Sequence, residues 1–87
     1  MTIYSVIIAD KAAKEIEWLP NHIIKKVIRK LEELEAQPRP IGTKKLTGEG
    51  NKWRIRIGDY RVIYKIDDAI RIITILYVRH RKDAYKF

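Results

Sequence analysis

Hydrophobic and polar positions alternate one for one from Trp53 to Ile57, where Trp53, Ile55 and Ile57 interleave with Arg54 and Arg56. A period of two marks a strand with two unlike faces, so the apolar side chains share one face and the arginines the other. The pattern resumes after Gly58-Asp59, a two-residue connection that glycine makes accessible to a tight hairpin turn. With that turn Ile57 faces Tyr60 and Arg56 sits directly opposite Arg61. Like charges side by side cost stability, so a chain that keeps three guanidinium groups together there reads as a place built for a polyanion.

Elsewhere the periodicity changes. Ile3 to Ile8 is short and β-rich and predicts a first strand. Asp10 is placed to cap a short helix over Lys11 to Leu19, with Ala12, Ile16 and Leu19 on one side and Pro20 as its stop. Asn21 is placed to cap a longer one, His22 to Gln37, in which Ile23, Ile24, Val27, Ile28, Leu31 and Leu34 recur at three- and four-residue spacing. Pro38 and Pro40 end that helix, and the glycine-rich Ile41 to Lys52 predicts a connecting loop with a short strand near Lys45-Leu46. Three strands follow, Trp53 to Ile57, Tyr60 to Ile66 and Ile70 to Val78, the last two joined by a turn around Asp67-Asp68. The order predicts an α+β fold: an N-terminal strand and a two-helix hairpin packed on one face of a mostly antiparallel four-stranded sheet. The helices are expected on the face of Trp53, Ile55, Ile57 and Val62, leaving Arg54, Arg56 and Arg61 on an open side.

Length and charge narrow the function. The 87 residues fit a single domain spanning 1–87, and no apolar run approaches the ~20 residues of a membrane-spanning helix. Met1 to Ile8 lacks the basic lead and long apolar stretch of a secretory signal, so a cytoplasmic location is expected. With no cysteine and two histidines, neither disulfides nor a zinc cluster is expected, and no metal or other cofactor is called for. The net charge of +8 is uneven, +1 over residues 1–40 and +7 over residues 41–87. That asymmetry points to an anionic partner for the sheet, nucleic acid first and an acidic protein second, with a membrane surface remote.

Arg54, Arg56, Arg61, Arg79 and Arg81 lie on or beside the last three strands, and Lys44, Lys45 and Lys52 precede them. Guanidinium groups bind phosphate bidentately and stay charged, so several aimed at one point would stabilise a phosphorane-like transition state. Alternating basic residues also make the ordinary solvated face of a sheet, and from the pattern alone the two readings weigh about equally. Near the cluster, His80 and Tyr85 are the side chains able to move protons. Against that role, the residues by themselves favour the plainer reading, His80 as a polar strand end and Tyr85 as a ring covering a sheet edge. Trp53, Tyr60 and Tyr64 fall by parity on the core face.

The run Lys45-Leu46-Thr47-Gly48, the hairpin Trp53 to Tyr64 and the ending Val78-Arg79-His80-Arg81-Lys82-Asp83-Ala84-Tyr85 resemble the RelE branch of the RelE/ParE toxin superfamily, over nearly the whole chain. The resemblance implies the toxin of a type II toxin-antitoxin pair, a ribosome-dependent endoribonuclease that enters the A site and cuts mRNA within the codon. There the ribose 2′-hydroxyl attacks the adjacent phosphate and expels the 5′-oxygen without a metal. It implies that Arg61 and Arg81 hold the scissile phosphate, that Tyr85 stacks on or orients the nucleotide, and that Arg54, Arg56, Lys52 and Lys45 bind substrate. The best-known RelE toxin has lysines where this chain has Arg54 and Arg56, and arginine is a poor base, so the proton acceptor passes to His80 or Tyr85. A RelB-like antitoxin, acidic where it meets the basic face, is the implied partner, and the pair would bind operator DNA through the antitoxin. The alternatives are a ParE-like gyrase inhibitor without nuclease activity and an inactive relative that only binds RNA or ribosomes.

Overall fold

The computed structural model describes residues 3–48 and 50–83. In chain order they form β1 (Ser5–Ile8), α1 (Asp10–Glu17), α2 (Asn21–Ala36), β2 (Lys44–Lys45), β3 (Lys52–Ile57), β4 (Tyr60–Asp67) and β5 (Ile72–His80). One sheet runs in the order β1-β5-β4-β3-β2, five strands rather than the four expected. The addition is β2, two residues paired with Arg54 and Trp53 and fastened where the Leu46 amide donates to the Lys52 carbonyl at 2.9 Å. The β1–β5 contact is parallel and the others are antiparallel.

The helices start one residue earlier than expected. Asp10 and Asn21 occupy the first helical positions, while Ala9 and Pro20 are the N-caps, without a side-chain capping bond. The Pro20 carbonyl instead accepts from the Ile23 and Ile24 amides at 2.9 and 3.0 Å, and the carboxylate of Asp10 still meets the positive end of its helix. At the other end of the sheet the β4–β5 turn is longer than expected. The Asp67 carboxylate accepts from the Ala69 and Ile70 amides and Arg71 takes a left-handed φ of 55°, which delays β5 to Ile72.

The hairpin register is the expected one, with Ile57 opposite Tyr60 and Arg56 opposite Arg61. Gly58 has φ 59° and Asp59 does not share the positive sign, the arrangement of a type II′ turn. The helices cover the face of Ile55, Ile57, Val62, Tyr64, Ile66, Ile73, Ile75 and Val78 with Ala12, Ile16, Ile23, Val27, Leu31 and Leu34. Each fully buried aliphatic of this layer contributes on the order of 2 kcal/mol.

Candidate active site

The uncovered face is laid out in rows across the strands by the register. Arg56, Arg61 and Arg79 are successive partners on β3, β4 and β5, and Arg54, Ile63 and Tyr77 form the row beside them, extended by Lys44 on β2. Lys52 and Lys65 open a third row. Arg79 enters the first row because of a bulge. Ile63 pairs with Tyr77 while Tyr64 pairs with Ile75, which leaves Leu76 as the extra residue. Unbroken alternation from Ile73 and Ile75 would have turned Tyr77 and Arg79 toward the helices and His80 toward the arginines. The bulge inverts all three.

This face is less open than the alternation suggests. Arg54 and Arg61 are only 5% and 9% exposed, and Ile63 is fully buried yet stands outside the main core cluster. Arg61 folds back on its own turn, its Nη1 donating to the Gly58 and Tyr60 carbonyls at 3.1 and 3.0 Å. Arg81 approaches the same turn from the end of β5, its amide donating to the Asp59 carbonyl at 2.7 Å. Among the described residues, one Nη of Arg54 is buried without a hydrogen-bond acceptor. An unsatisfied buried donor on a charged group costs a few kcal/mol, a deficit that an anionic oxygen would remove.

Beyond β5 the row ends on a carboxylate. Past the end of β1, α1 flanks the strand, and Glu15 accepts from the Val78 amide at 3.0 Å and from Arg79 Nε at 2.6 Å. The Arg79–Glu15 pair is 13% and 21% exposed. The Arg79 guanidinium lies 4.2 Å from the centre of the Tyr77 ring, and Lys11 Nζ lies 5.2 Å from it.

Of the expected site residues, Arg54, Arg56, Arg61 and Lys52 share this face, and Arg81 joins them at the turn. Lys45 does not: it pairs with Trp53 on the helix side, its Nζ 5.9 Å from that ring, and Lys44 takes the position beside Arg54. His80 pairs with Tyr60 across from the arginines, their rings edge to face at 5.5 Å, and its Nδ1 accepts from the Lys82 amide. Tyr85 lies outside the described residues. Sequence reasoning left Tyr77 and Glu15 unassigned. Tyr77 was hidden by the bulge, and Glu15 reaches Arg79 from 64 residues away with no local signal.

The far end of the sheet carries a second charged cluster of a different kind. There the Arg39 guanidinium donates to both oxygens of Asp68, at 3.3 and 2.8 Å, and the Tyr4 hydroxyl donates to one of them at 2.5 Å. Arg39 also lies over the Trp53 ring, 4.7 Å from its centre. The bonds from Arg39 and Tyr4 hold the Asp68 carboxyl below its ordinary range, and the bond to Asp68 raises the Tyr4 phenol. Tyr64 is fully buried; its hydroxyl donates to the Pro38 carbonyl at 2.9 Å, and burial raises its phenol above the ordinary value.

Residues 6–85 match the family model of the ParE toxin of the type II toxin-antitoxin system parDE. The chain belongs to the RelE/ParE toxin superfamily. It is 34% identical over 86 residues to a putative toxin RelE1 of Methanocaldococcus jannaschii, covering 95% of this chain and 96% of that one. It is 30% identical to the toxin RelG of Mycobacterium tuberculosis, over 95% and 97% of the two chains. Its structure superimposes on the archaeal RelE–RelB complex from Pyrococcus horikoshii with a TM-score of 0.83 at 34% identity, covering 97% of this chain and all of that one. Among RelE/ParE toxins this chain is thus a type II toxin of the RelE family, with the RelE fold of two helices on a mixed, mostly antiparallel sheet.

Proposed function

We propose that this RelE-family toxin is a ribosome-dependent endoribonuclease that cleaves mRNA in the A site. The observation that carries the reading is the row Arg56–Arg61–Arg79, with the buried, incompletely bonded Arg54 beside it. In the reaction the 2′-oxygen forms a bond to the adjacent phosphorus and the bond to the 5′-oxygen breaks. The 2′-hydroxyl gives its proton to a base and the leaving 5′-oxygen receives one. Arg61, whose guanidinium folds onto the Gly58-Asp59 turn, and Arg81, whose backbone is anchored to the same turn, neutralise the charge that grows on the phosphoryl oxygens, and Arg54 supplies a preorganised donor. The internal nucleophile leaves no step that requires a metal.

Because His80 stands on the face of Tyr60, Tyr85 is the better candidate for the proton-moving or nucleotide-orienting residue, and His80 for support of the strand end. The partner would be a RelB-like antitoxin covering the basic face, since the relatives from P. horikoshii and M. tuberculosis were solved with RelB. Such a pair, acting in the cytoplasm, would reach operator DNA through the antitoxin. Primer extension on a defined mRNA, with and without ribosomes, tests the reading. Wild type should give cuts within codons only when ribosomes are present, and Arg61→Ala and Arg81→Ala should lose them. Cleavage of free mRNA would overturn the A-site assignment.

The second reading is a gyrase inhibitor, favoured by the ParE designation of the family model. It predicts DNA breaks and an SOS response on expression, with mRNA intact.

A further inference from the structure

Around the end of the hairpin from the arginine row lies a groove of about 270 Å³, formed by Lys26, Arg29 and Lys30 of α2 against Arg56, Ile57 and Gly58. The three α2 cations fall at i, i+3 and i+4, so they share one side of the helix, next to the buried stripe of Ile23, Val27, Leu31 and Leu34. One acid among the described residues reaches the groove, Glu33, which pairs with Lys30 Nζ at 2.8 Å. Among the described residues Lys26, Arg29 and Arg56 form no ion pair. Arg56 belongs to both places: it is the end of the arginine row and a wall of the groove. The basic surface therefore does not stop at the edge of the sheet. It turns the corner at Gly58 and continues onto α2.

We propose that this groove is a second phosphate-binding subsite, which holds the sugar-phosphate backbone of an RNA strand several nucleotides from the arginine row. This rests on the nuclease reading, because it takes the row as the place where the strand is bent and cut. The chemistry favours nucleic acid over an acidic peptide. A peptide helix or strand docks through apolar anchors or through a free sheet edge. Among the described residues the one apolar wall of the groove is Ile57, itself nearly buried, so no apolar anchor has a seat there. The β3 edge beyond its two-residue pairing with β2 is bordered at Arg56 and Ile57 by the cations of α2. What the groove offers is long cationic side chains without sequence-reading geometry, the means by which proteins track a single-stranded backbone. Steering follows from the same layout, since a continuous band of one sign draws a polyanion toward the site from either side.

The test is fluorescence anisotropy with the full chain and a labelled, 2′-O-methylated oligoribonucleotide about 12 nucleotides long, titrated across salt concentrations. Lys26→Gln, Arg29→Gln, Lys30→Gln should weaken binding tenfold or more at low salt and flatten the slope of log K against log salt by about 2, for three lost phosphate contacts. If the triple variant melts early, Arg29→Gln alone should flatten the slope by about 0.7. Unchanged affinity and slope in a folded variant would overturn the subsite. So would retained RNA binding with lost binding of a polyglutamate peptide, which would make the groove a protein site. Absence of ribosome-dependent cleavage by wild type, with the oligonucleotide effect intact, would sink the nuclease reading and leave the groove standing.

Discussion

Both ends of the sheet carry charged and aromatic side chains and use them in opposite ways. At the far end Arg39 meets Asp68 bidentately, Tyr4 completes the carboxylate and Trp53 lies beneath the guanidinium. The charges there neutralise one another and tie the chain before β2 and the β4–β5 turn to the body of the fold. At the hairpin end three arginines stand in one row, where two backbone carbonyls hold Arg61 and Glu15 meets Arg79 at the border. Carbonyls orient a guanidinium without cancelling its charge. The first arrangement locks structure, and the second stores positive potential at a fixed place.

Arg61→Ala is the strongest way to break that contrast. Loss of one preorganised charge-stabilising donor lowers cleavage by about a hundredfold or more. Two hydrogen bonds to carbonyls are lost while like-charge repulsion is relieved, so thermal melting should move little. A large drop in melting temperature with activity per folded molecule intact would make the row structural.

Trp53→Ala should do the reverse. It removes the ring that Arg39 and Lys45 both approach, at a cost of about 3 kcal/mol, or roughly 15 °C in melting temperature. Folded protein at low temperature should keep its cleavage. Trp53→Phe sharpens the point: it keeps a ring and removes a buried indole N–H that has no acceptor, so its cost should be well under half as large.

Glu15→Gln probes the border between the two behaviours. The amide oxygen can still accept from the Val78 amide, but the charge opposite Arg79 is gone, a loss of about 1 to 2 kcal/mol in chemical denaturation. If Glu15 positions Arg79 within the row, cleavage should also fall, by about tenfold, less than for Arg61→Ala. Unchanged cleavage would confine the pair to a structural role.

Asp68→Asn has the smallest effect and shows it only in acid. The native carboxyl titrates below its ordinary value, chiefly because of Arg39 and then Tyr4. Its contribution to stability is therefore present above the unfolded-state value of about 3.9 and lost as pH falls through the lower native value. Melting temperatures measured from about pH 6 to about pH 2 should fall less steeply for the variant than for wild type in the window below about pH 4. Parallel curves would show that the clasp does not draw on this carboxylate.

Much of this was legible in the chain because it depends on local period and local turns. The alternation of Trp53 to Ile57, the Gly58-Asp59 connection and the three-four spacing of α2 are statements about neighbours in sequence, and Arg56 opposite Arg61 follows from them. What sequence could not supply was parity beyond an irregularity. The single extra residue at Leu76 exchanged the faces of Arg79 and His80, and no residue type near it announces a bulge. The two-residue β2 likewise decided that Lys44, not Lys45, faces the arginines.

The sequence by itself determined the strand faces, the hairpin register, the helical stripe and the basic bias of the second half, because each is set by periods of two or 3.6 residues and by summed charge. Only the tertiary structure decided that Arg54 and Arg61 are buried, that Glu15 holds Arg79 from across the fold and that α2 continues the basic surface past Gly58. Those outcomes depend on which distant segments pack together, and a side chain's burial and partners are properties of that packing and not of its neighbours along the chain.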